Sequence, residues 1–175
     1  MRERGNAFDL FSIVWQPTAV PKMSICLLKA IHNKLLTRDK LITIGVADSA
    51  ICSLCLSANE SRDHLFFSCP YSAYIWSLCK LKLKLDPAIG TLLEECNVIK
   101  TKFKGRHKDS FLARLVLRGA TWYIWKERNS RIFQQQSRHK ILVFRHLYED
   151  IQIILRTCTW KTRDISILNN WGIQD

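Results

Sequence analysis

The sequence predicts a mainly α-helical protein, and three of its features lead to this prediction. Apolar residues recur every three or four positions, first over about residues 21–35 and again over about residues 109–158. Three cysteines and one histidine lie within residues 52–69, where they can staple a small fold. The chain has 175 residues, 47% of them hydrophobic, which suffices for a packed core. We therefore expect a small zinc-stapled helical module followed by a long helical hairpin extension.

The N-terminal end shows no regular pattern. Residues 1–10 are polar and lack periodicity, so they are expected to form a ragged N-terminus. Over residues 11–15, Phe, Ile and Trp alternate with Ser and Val, which predicts a short extended piece that ends before Pro17. The stapled module is expected to begin at this piece and to extend to about residue 85.

Two helices are predicted before the cysteines. Pro21 can start the first, because the first turn of a helix does not need the N–H that proline lacks. Its apolar stripe consists of Ile25, Leu28, Ile31 and Leu35. Thr37 is expected to be the N-cap of a second short helix through Leu41, and Gly45 is its expected stop.

The motif Cys52-x2-Cys55-x8-His64-x4-Cys69 is the strongest signal in the chain. Two cysteines two residues apart can bind one metal ion from a tight turn, and a later His and Cys complete a tetrahedron of the kind that Zn²⁺ prefers. All four positions would be filled by protein, so the site is interpreted as structural, with one ion. A Cys52–Cys55 disulfide and four separately buried side chains are the alternatives.

A helix is predicted to follow the last ligand. Pro70 stands where a helix can start, and one apolar face would consist of Tyr71, Tyr74, Ile75 and Leu78. The alternating Lys and Leu residues of 80–85 fit either a strand with one solvated face or a frayed helix end, and the pattern does not decide between them.

Residues 86–108 are predicted to be a linker with a basic cluster. Apolar residues recur over 88–99, whereas residues 100–108 are polar, basic and contain a glycine. Beyond the linker, residues 109–175 are expected to form a helical extension. Helices over about 109–134 and 137–158 would pair as an antiparallel hairpin, with Trp171 packed against it.

The charge is strongly positive and unevenly distributed. The formal net charge is +12, and residues 71–175 carry nineteen Lys and Arg against nine Asp and Glu. Such a surface favours polyanions, so RNA or DNA is the expected partner, bound nonspecifically through released counterions. The candidate phosphate-binding residues are Lys80, Lys82, Lys84, Lys100, Lys102, Lys104, Arg106 and Lys108. A solvated linker and helix end would explain the same charges.

Trp122, Trp125 and Arg128 recur every three residues in the first predicted helix of the hairpin, so they can share one face. Stacking on unpaired bases is the functional interpretation. A core lined by tryptophans, with Arg128 at its rim, is the structural interpretation and the one we favour, since aromatic stripes at this spacing usually mean burial.

Residues 51–55 (Ile-Cys-Ser-Leu-Cys), residues 60–70 (Glu-Ser-Arg-Asp-His-Leu-Phe-Phe-Ser-Cys-Pro) and Trp76 resemble the zinc-binding domain of plant reverse transcriptases. The resemblance extends through residues 31–41 and, more weakly, to residues 122–133. This domain lies C-terminal to the polymerase in LINE-type (non-LTR) retrotransposons and their relics. The resemblance implies an accessory, non-catalytic zinc module over residues 11–85, with a reverse transcriptase core as a further possible partner.

No pattern of an enzyme is present. The sequence has no Gly-rich phosphate loop, no His-Glu-x-x-His and no Gly-x-Ser-x-Gly, and its acidic residues are scattered. It also has no secretory signal and no apolar run of the ~18 residues that a membrane span needs. We expect an intracellular protein, in the nucleus or cytoplasm, without catalysis or a membrane partner. Nucleic-acid binding, docking on a polymerase or another chain, and a relic without a retained role stay open, as does the oligomeric state.

Overall fold

The computed structural model describes residues 10–16, 20–105, 107–158 and 169–172, and within them the fold is helical. The mainly α-helical prediction is confirmed, since the only β pairing in these residues is a single antiparallel bridge between Ile51 and Asn59. The helices are α1 (Phe11–Val14), α2 (Pro21–Ile31), α3 (Arg38–Thr43), α4 (Pro70–Lys82), α5 (Leu92–Lys102), α6 (Lys108–Phe133) and α7 (Lys140–Thr157), with a π-helical turn (His64–Ser68) and a 3-10 turn (Asn169–Trp171).

The first described segment is a helical turn, so the extended piece predicted over residues 11–15 is wrong. Ile13 and Val14 are neighbours, yet both are buried, which a helical turn permits and a strand with one covered face does not. The Arg118 guanidinium of α6 donates to the carbonyls of both residues at 3.2 and 3.3 Å and so satisfies the end of α1. Leu10 is also buried, so it belongs to the core and not to a ragged end. Residues 1–9 lie outside the described part.

Helices α2 and α3 start where the sequence predicts. Pro21 is the first residue of α2, and Thr37 stands at the N-cap position of α3. Gly45 follows the end of α3 with φ of +71°, a conformation that glycine adopts without strain. The predicted stripe of α2 is wrong in two positions: Ile25 is 43% exposed, and Leu35, although buried, lies beyond the end of the helix at Ile31. The buried apolar face of the helix consists of Met23, Cys26, Leu27, Ala30 and Ile31.

Helix α4 settles the ambiguous Lys-Leu segment as a helix end. The helix runs from Pro70 to Lys82, and its buried face is centred on Ile75, Trp76 and Cys79. Alternation over residues 80–85 therefore does not mark a strand, since the first three of these residues complete a helix that starts ten residues earlier.

Residues 86–108 form a packed segment, contrary to the linker prediction. They contain α5, in which Leu92, Cys96 and Ile99 are fully buried against α1 and α6. A capping box fixes the start of α5: the Thr91 hydroxyl accepts from the Glu94 N–H, and the Glu94 carboxylate accepts from the Thr91 N–H. The apolar spacing over residues 88–99 thus belongs to a core helix.

The antiparallel hairpin of α6 and α7 is present as predicted. The two helices are in close contact at Gly119, where an added Cβ would lie 2.6 Å from Leu147 Cδ1. Near the connecting loop, the Glu127 carboxylate accepts a hydrogen bond from the Arg138 N–H. Trp171 is fully buried against α7, stacked on Tyr148 with ring centroids 5.3 Å apart. Residues 159–168 and 173–175 lie outside the described part.

Helix α6 is the centre of the molecule. It packs against α1, α2, α4, α5 and α7, and its residues from Leu112 to Thr121 are all buried. One hydrophobic cluster contains residues from Leu10 to Trp171, so the zinc-stapled half and the hairpin share a single core. Within the described residues, no helix combines the length and apolar composition that crossing a bilayer requires.

Candidate metal centre

The first two candidate ligands lie on a tight loop. The bridge between Ile51 and Asn59 closes this loop, and the Cys52 N–H donates to the Ala58 carbonyl at 2.8 Å. The Leu56 N–H donates to the Cys52 carbonyl at 2.9 Å. Leu56 itself has a left-handed backbone conformation, with φ of +57°. This turn points both thiols to the same side, as the Cys-x2-Cys spacing requires.

The other two candidate ligands lie at the ends of the π-helical turn. The Cys69 N–H donates to the His64 carbonyl at 2.6 Å, five residues earlier, which defines the wide turn. Cys69 is at the same time the N-cap residue of α4, with Pro70 as the first helical residue. The start of α4 therefore fixes the last ligand, and α4 carries Trp76 against Phe67 with ring centroids 4.8 Å apart.

Together the four side chains form one compact cluster. The ligand atoms of Cys52, Cys55, His64 and Cys69 all lie within 4.8 Å of one another, and Cys55 Sγ is 3.4 Å from His64 Nε2. Tetrahedral zinc with bonds of about 2.0–2.3 Å separates neighbouring ligand atoms by about 3.5–3.8 Å, so this cluster fits the ion after small adjustments. Three thiols and one imidazole are also the donor set that zinc prefers over Mg²⁺ or Ca²⁺.

The environment of the thiols favours ligation. Cys52 and Cys69 are fully buried, whereas Cys55 and His64 are half-buried. The pKa of the Cys69 thiol is lowered, first by the hydrogen bond from the Cys52 thiol and further by the Tyr71 and Ser72 N–H groups at the start of α4. The same hydrogen bond raises the pKa of the Cys52 thiol. Since the thiolate is the metal ligand, the lowered pKa of Cys69 favours the form of this side chain that binds an ion.

Helix α6 holds the cysteine loop from outside. Arg131 donates to the carbonyls of Ser53 and Leu54 at 3.0 Å each, and its guanidinium lies 4.6 Å from the centre of the Tyr71 ring. Glu127 orients Arg131 through a hydrogen bond of 2.8 Å. The loop backbone is thus tied to a rigid helix that lies more than seventy residues later in the chain.

A buried ion pair makes the second connection between α6 and the module. Arg128 Nη2 lies 2.7 Å from the Glu60 carboxylate, and both side chains are almost completely buried. The carboxylate also accepts from the Arg38 N–H at 2.8 Å, and Arg128 donates to the Leu36 carbonyl at 3.1 Å. Sequence reasoning assigned no role to Glu60 or Arg131. The available signal was that both lie in segments that carry the family resemblance.

The favoured interpretation placed Arg128 at the rim of a tryptophan core, and this placement is wrong. Its guanidinium is buried and lies 4.9 Å from the centre of the Trp125 ring. Trp122 and Trp125 are only half-buried, although both pack against the core cluster. The two rings consequently keep part of their surface accessible.

The structure separates the candidate phosphate-binding residues. Lys80 is 2% exposed, and its ammonium is paired with Glu95 at 3.0 Å, so its assignment to a nucleic-acid surface is wrong. Lys82 is half-buried; its ammonium donates to the Asn170 carbonyl at 2.8 Å and lies 4.4 Å from the centre of the Tyr148 ring. Burial lowers the pKa of Lys82. Both side chains serve the packing of α4.

The remaining candidates differ in exposure. Lys84, Lys102 and Lys104 are exposed, whereas Lys100 and Lys108 are half-buried. Arg106 lies outside the described residues. Lys102, at the end of α5, and Lys104, in the loop after it, are therefore accessible to solvent.

Comparison with known proteins gives one match. Residues 1–76 match the model of a family described as zinc-binding in reverse transcriptase. The match contains all four candidate ligands and ends within α4, so α5, α6 and α7 lie beyond it. It supports a reverse transcriptase zinc-binding domain in that part of the chain. No curated protein and no solved structure shows significant similarity to the chain.

Proposed function

We propose that this chain is a structural zinc-binding module, derived from a plant LINE-type retrotransposon polyprotein, that holds RNA or single-stranded DNA nonspecifically and has no catalysis of its own. The observation that carries the proposal is the closed ligand set. Cys52, Cys55, His64 and Cys69 can fill all four positions of one zinc ion, so no position is left for a water or a substrate. A bound ion would cross-link the cysteine loop to the start of α4.

The nucleic-acid part of the proposal rests on charge. The formal net charge is +12, and the zinc centre itself, with three thiolates and a neutral imidazole, would carry about −1. Phosphates would therefore bind elsewhere, on exposed cations that the scaffold presents. Lys102 and Lys104 are exposed beside the half-buried ring of Phe103, which suits nonspecific contact with a strand. The protein itself would be intracellular, in the nucleus or cytoplasm.

The second candidate is docking on a reverse transcriptase core or another chain. The segment at the end of α3 exposes three large apolar side chains: Ile42 is 39% exposed, Ile44 60% and Val46 69%. Neighbouring exposed apolar residues are a common feature of protein-protein contacts. This candidate predicts an affinity for protein that depends weakly on salt.

Binding of a fluorescent single-stranded RNA at about 50 and 200 mM salt distinguishes the two candidates. A surface that neutralises about three phosphates loses roughly 20-fold in affinity over this range, because the slope is about −0.7 per phosphate for single strands. We expect this loss for the wild type, and a flatter slope for Lys102→Ala/Lys104→Ala.

The control variant is Arg145→Ala/Arg156→Ala, which removes the same charge from exposed positions of α7. It should keep the wild-type slope. Undetectable RNA binding, or binding that is independent of salt, contradicts the nucleic-acid proposal and favours docking on a protein.

A further inference from the structure

A groove lies between α2, the segment that follows it, and α6. Its cavity has a volume of about 470 Å³, within the range of ligand sites. Its lining includes three lysines and two tryptophans: Lys22, Lys29, Lys34, Trp122 and Trp125. None of the predicted phosphate-binding residues is among them.

The charge of this groove has one sign. Lys22, Lys29 and Lys34 are exposed, and among the described lining residues there is no aspartate or glutamate. None of the three ammonium groups forms an ion pair with a described residue. Three cations without neutralising acids around a concave surface attract an anionic ligand.

Each indole in the aromatic wall of the groove lies close to a cation. Trp122 and Trp125 lie one turn apart on α6, and Lys22 Nζ is 5.7 Å from the centre of the Trp122 ring. The Arg128 guanidinium lies 4.9 Å from the centre of the Trp125 ring and is itself held by the buried Glu60 carboxylate. The buried Arg128 side chain therefore packs against the Trp125 ring.

The same two indoles also line a second cavity of about 350 Å³ along α6. Its other lining residues include Lys126, Asn129 and Phe133, and the Phe133 side chain is 73% exposed. The two cavities adjoin at the tryptophans, so the surface continues over several side chains. A continuous track of cations and rings suits a chain-like ligand better than a single small molecule.

We propose that this groove binds single-stranded nucleic acid, with bases stacked on Trp122 and Trp125 and phosphates held by Lys22, Lys29 and Lys34. Cations alone would suit an acidic peptide equally well, but adjacent indole rings add an affinity for planar bases. Only unpaired bases offer their faces, so a duplex of the same charge binds less well. The inference rests on the proposed function and assigns it a second surface, separate from Lys102 and Lys104.

The test compares variants in binding of a single-stranded RNA at about 50 mM salt. Lys29→Glu/Lys34→Glu changes two exposed groove residues, and we expect about tenfold weaker binding or more, since two phosphate contacts become repulsive. Arg145→Glu/Arg156→Glu makes the same change in net charge on α7, outside the groove, and should have a much smaller effect. Equal losses in the two variants overturn the inference, because only net charge would then matter.

A cross-linking measurement on the wild type tests the stacking without a substitution in α6. An oligonucleotide that carries photoreactive uridines should cross-link to peptides that contain Trp122 or Trp125. A duplex or poly-glutamate competitor should reduce the yield less than unlabelled single strands do. Cross-links confined to the end of α5, or stronger competition by poly-glutamate, overturn the groove assignment.

These outcomes separate the two proposals. If the wild type binds no RNA, both fail. If the wild type binds RNA with a steep dependence on salt, and Lys102→Ala/Lys104→Ala weakens it while the groove variant behaves like its control, the proposed function stands and the groove assignment falls.

Discussion

Two buried ion pairs of this protein tie distant segments together. Glu60 and Arg128 form an ion pair of 2.7 Å with both side chains almost completely buried, and Lys80 is equally enclosed with Glu95. A buried pair often adds little net stability compared with apolar side chains, but removing one partner leaves an uncompensated charge. The Glu60–Arg128 pair gives the segment around Arg128 a role: it orients α6 relative to the half of the molecule that contains the cysteine loop.

Replacing Arg128 by methionine should lower the free energy of unfolding by about 3–5 kcal/mol, because Glu60 remains buried without its partner. The double variant Glu60→Leu/Arg128→Met should cost clearly less than the sum of the two single changes. Urea unfolding of the zinc-loaded proteins, followed by circular dichroism, measures all three values. Additive costs would contradict the coupling.

The neighbouring Arg62–Asp63 pair provides the control. Its atoms are 2.9 Å apart, but the two side chains are 19% and 38% exposed. Solvent weakens such a partly exposed pair towards the about 0–1 kcal/mol of surface pairs, so Arg62→Met should cost much less than Arg128→Met. A cost as large as that of Arg128→Met would mean that burial is not the deciding factor.

At the scale of elements, α6 decides the architecture, since it packs against five other helices. Its contact with α7 depends on Gly119, where the Leu147 side chain occupies the space next to the α6 backbone. A glycine inside a helix costs about 1 kcal/mol relative to alanine in propensity. The short distance to Leu147 explains why a side chain is absent there.

Gly119→Val should destabilise the protein by about 1–3 kcal/mol, because the added side chain would overlap Leu147 Cδ1, 2.6 Å from an ideal Cβ. Removing the obstacle with Leu147→Ala should make the valine much better tolerated. In that background Gly119→Val would fill part of the cavity that Leu147→Ala creates. Thermal unfolding of the four proteins checks this, and an equal cost of the valine in both backgrounds would disprove the packing argument.

At the scale of the whole molecule, the zinc centre and the hairpin belong to one core. Arg131 holds the cysteine loop, Arg128 holds Glu60, and a single hydrophobic cluster runs through both halves. A structural zinc site contributes on the order of 10 kcal/mol of coupled binding and folding free energy. This is comparable with the total stability of a domain, typically about 5–15 kcal/mol.

Loss of zinc should therefore unfold more than the cysteine loop. Protein purified without added metal should contain one zinc per chain by elemental analysis, and a chelator or Cys55→Ser should remove it together with much of the helical circular dichroism. Cys158→Ser, which changes a cysteine outside the cluster, should keep both zinc and helix content. Unchanged zinc content and melting in Cys55→Ser would falsify the ligand assignment.

The sequence alone determined the features that depend on short spacings. The four candidate ligands lie within residues 52–69, and the starts of α2 and α4 are marked by Pro21 and Pro70. The hairpin was predicted for the same reason, because both long helices show apolar repeats over many turns. Such signals are local, so they can be recognised without knowing which residues pack against them in the fold.

Which charges face solvent and which segments pack follows from the three-dimensional arrangement of the helices. Lys80 and Lys104 belong to similar basic runs, yet one is enclosed with Glu95 and the other is exposed. Likewise, α5 occupies a region for which the sequence predicts a linker. The groove beside Trp122 is formed by two helices that lie about ninety residues apart in the chain. Burial depends on residues that are distant in sequence, and a single sequence carries no direct record of which of them meet.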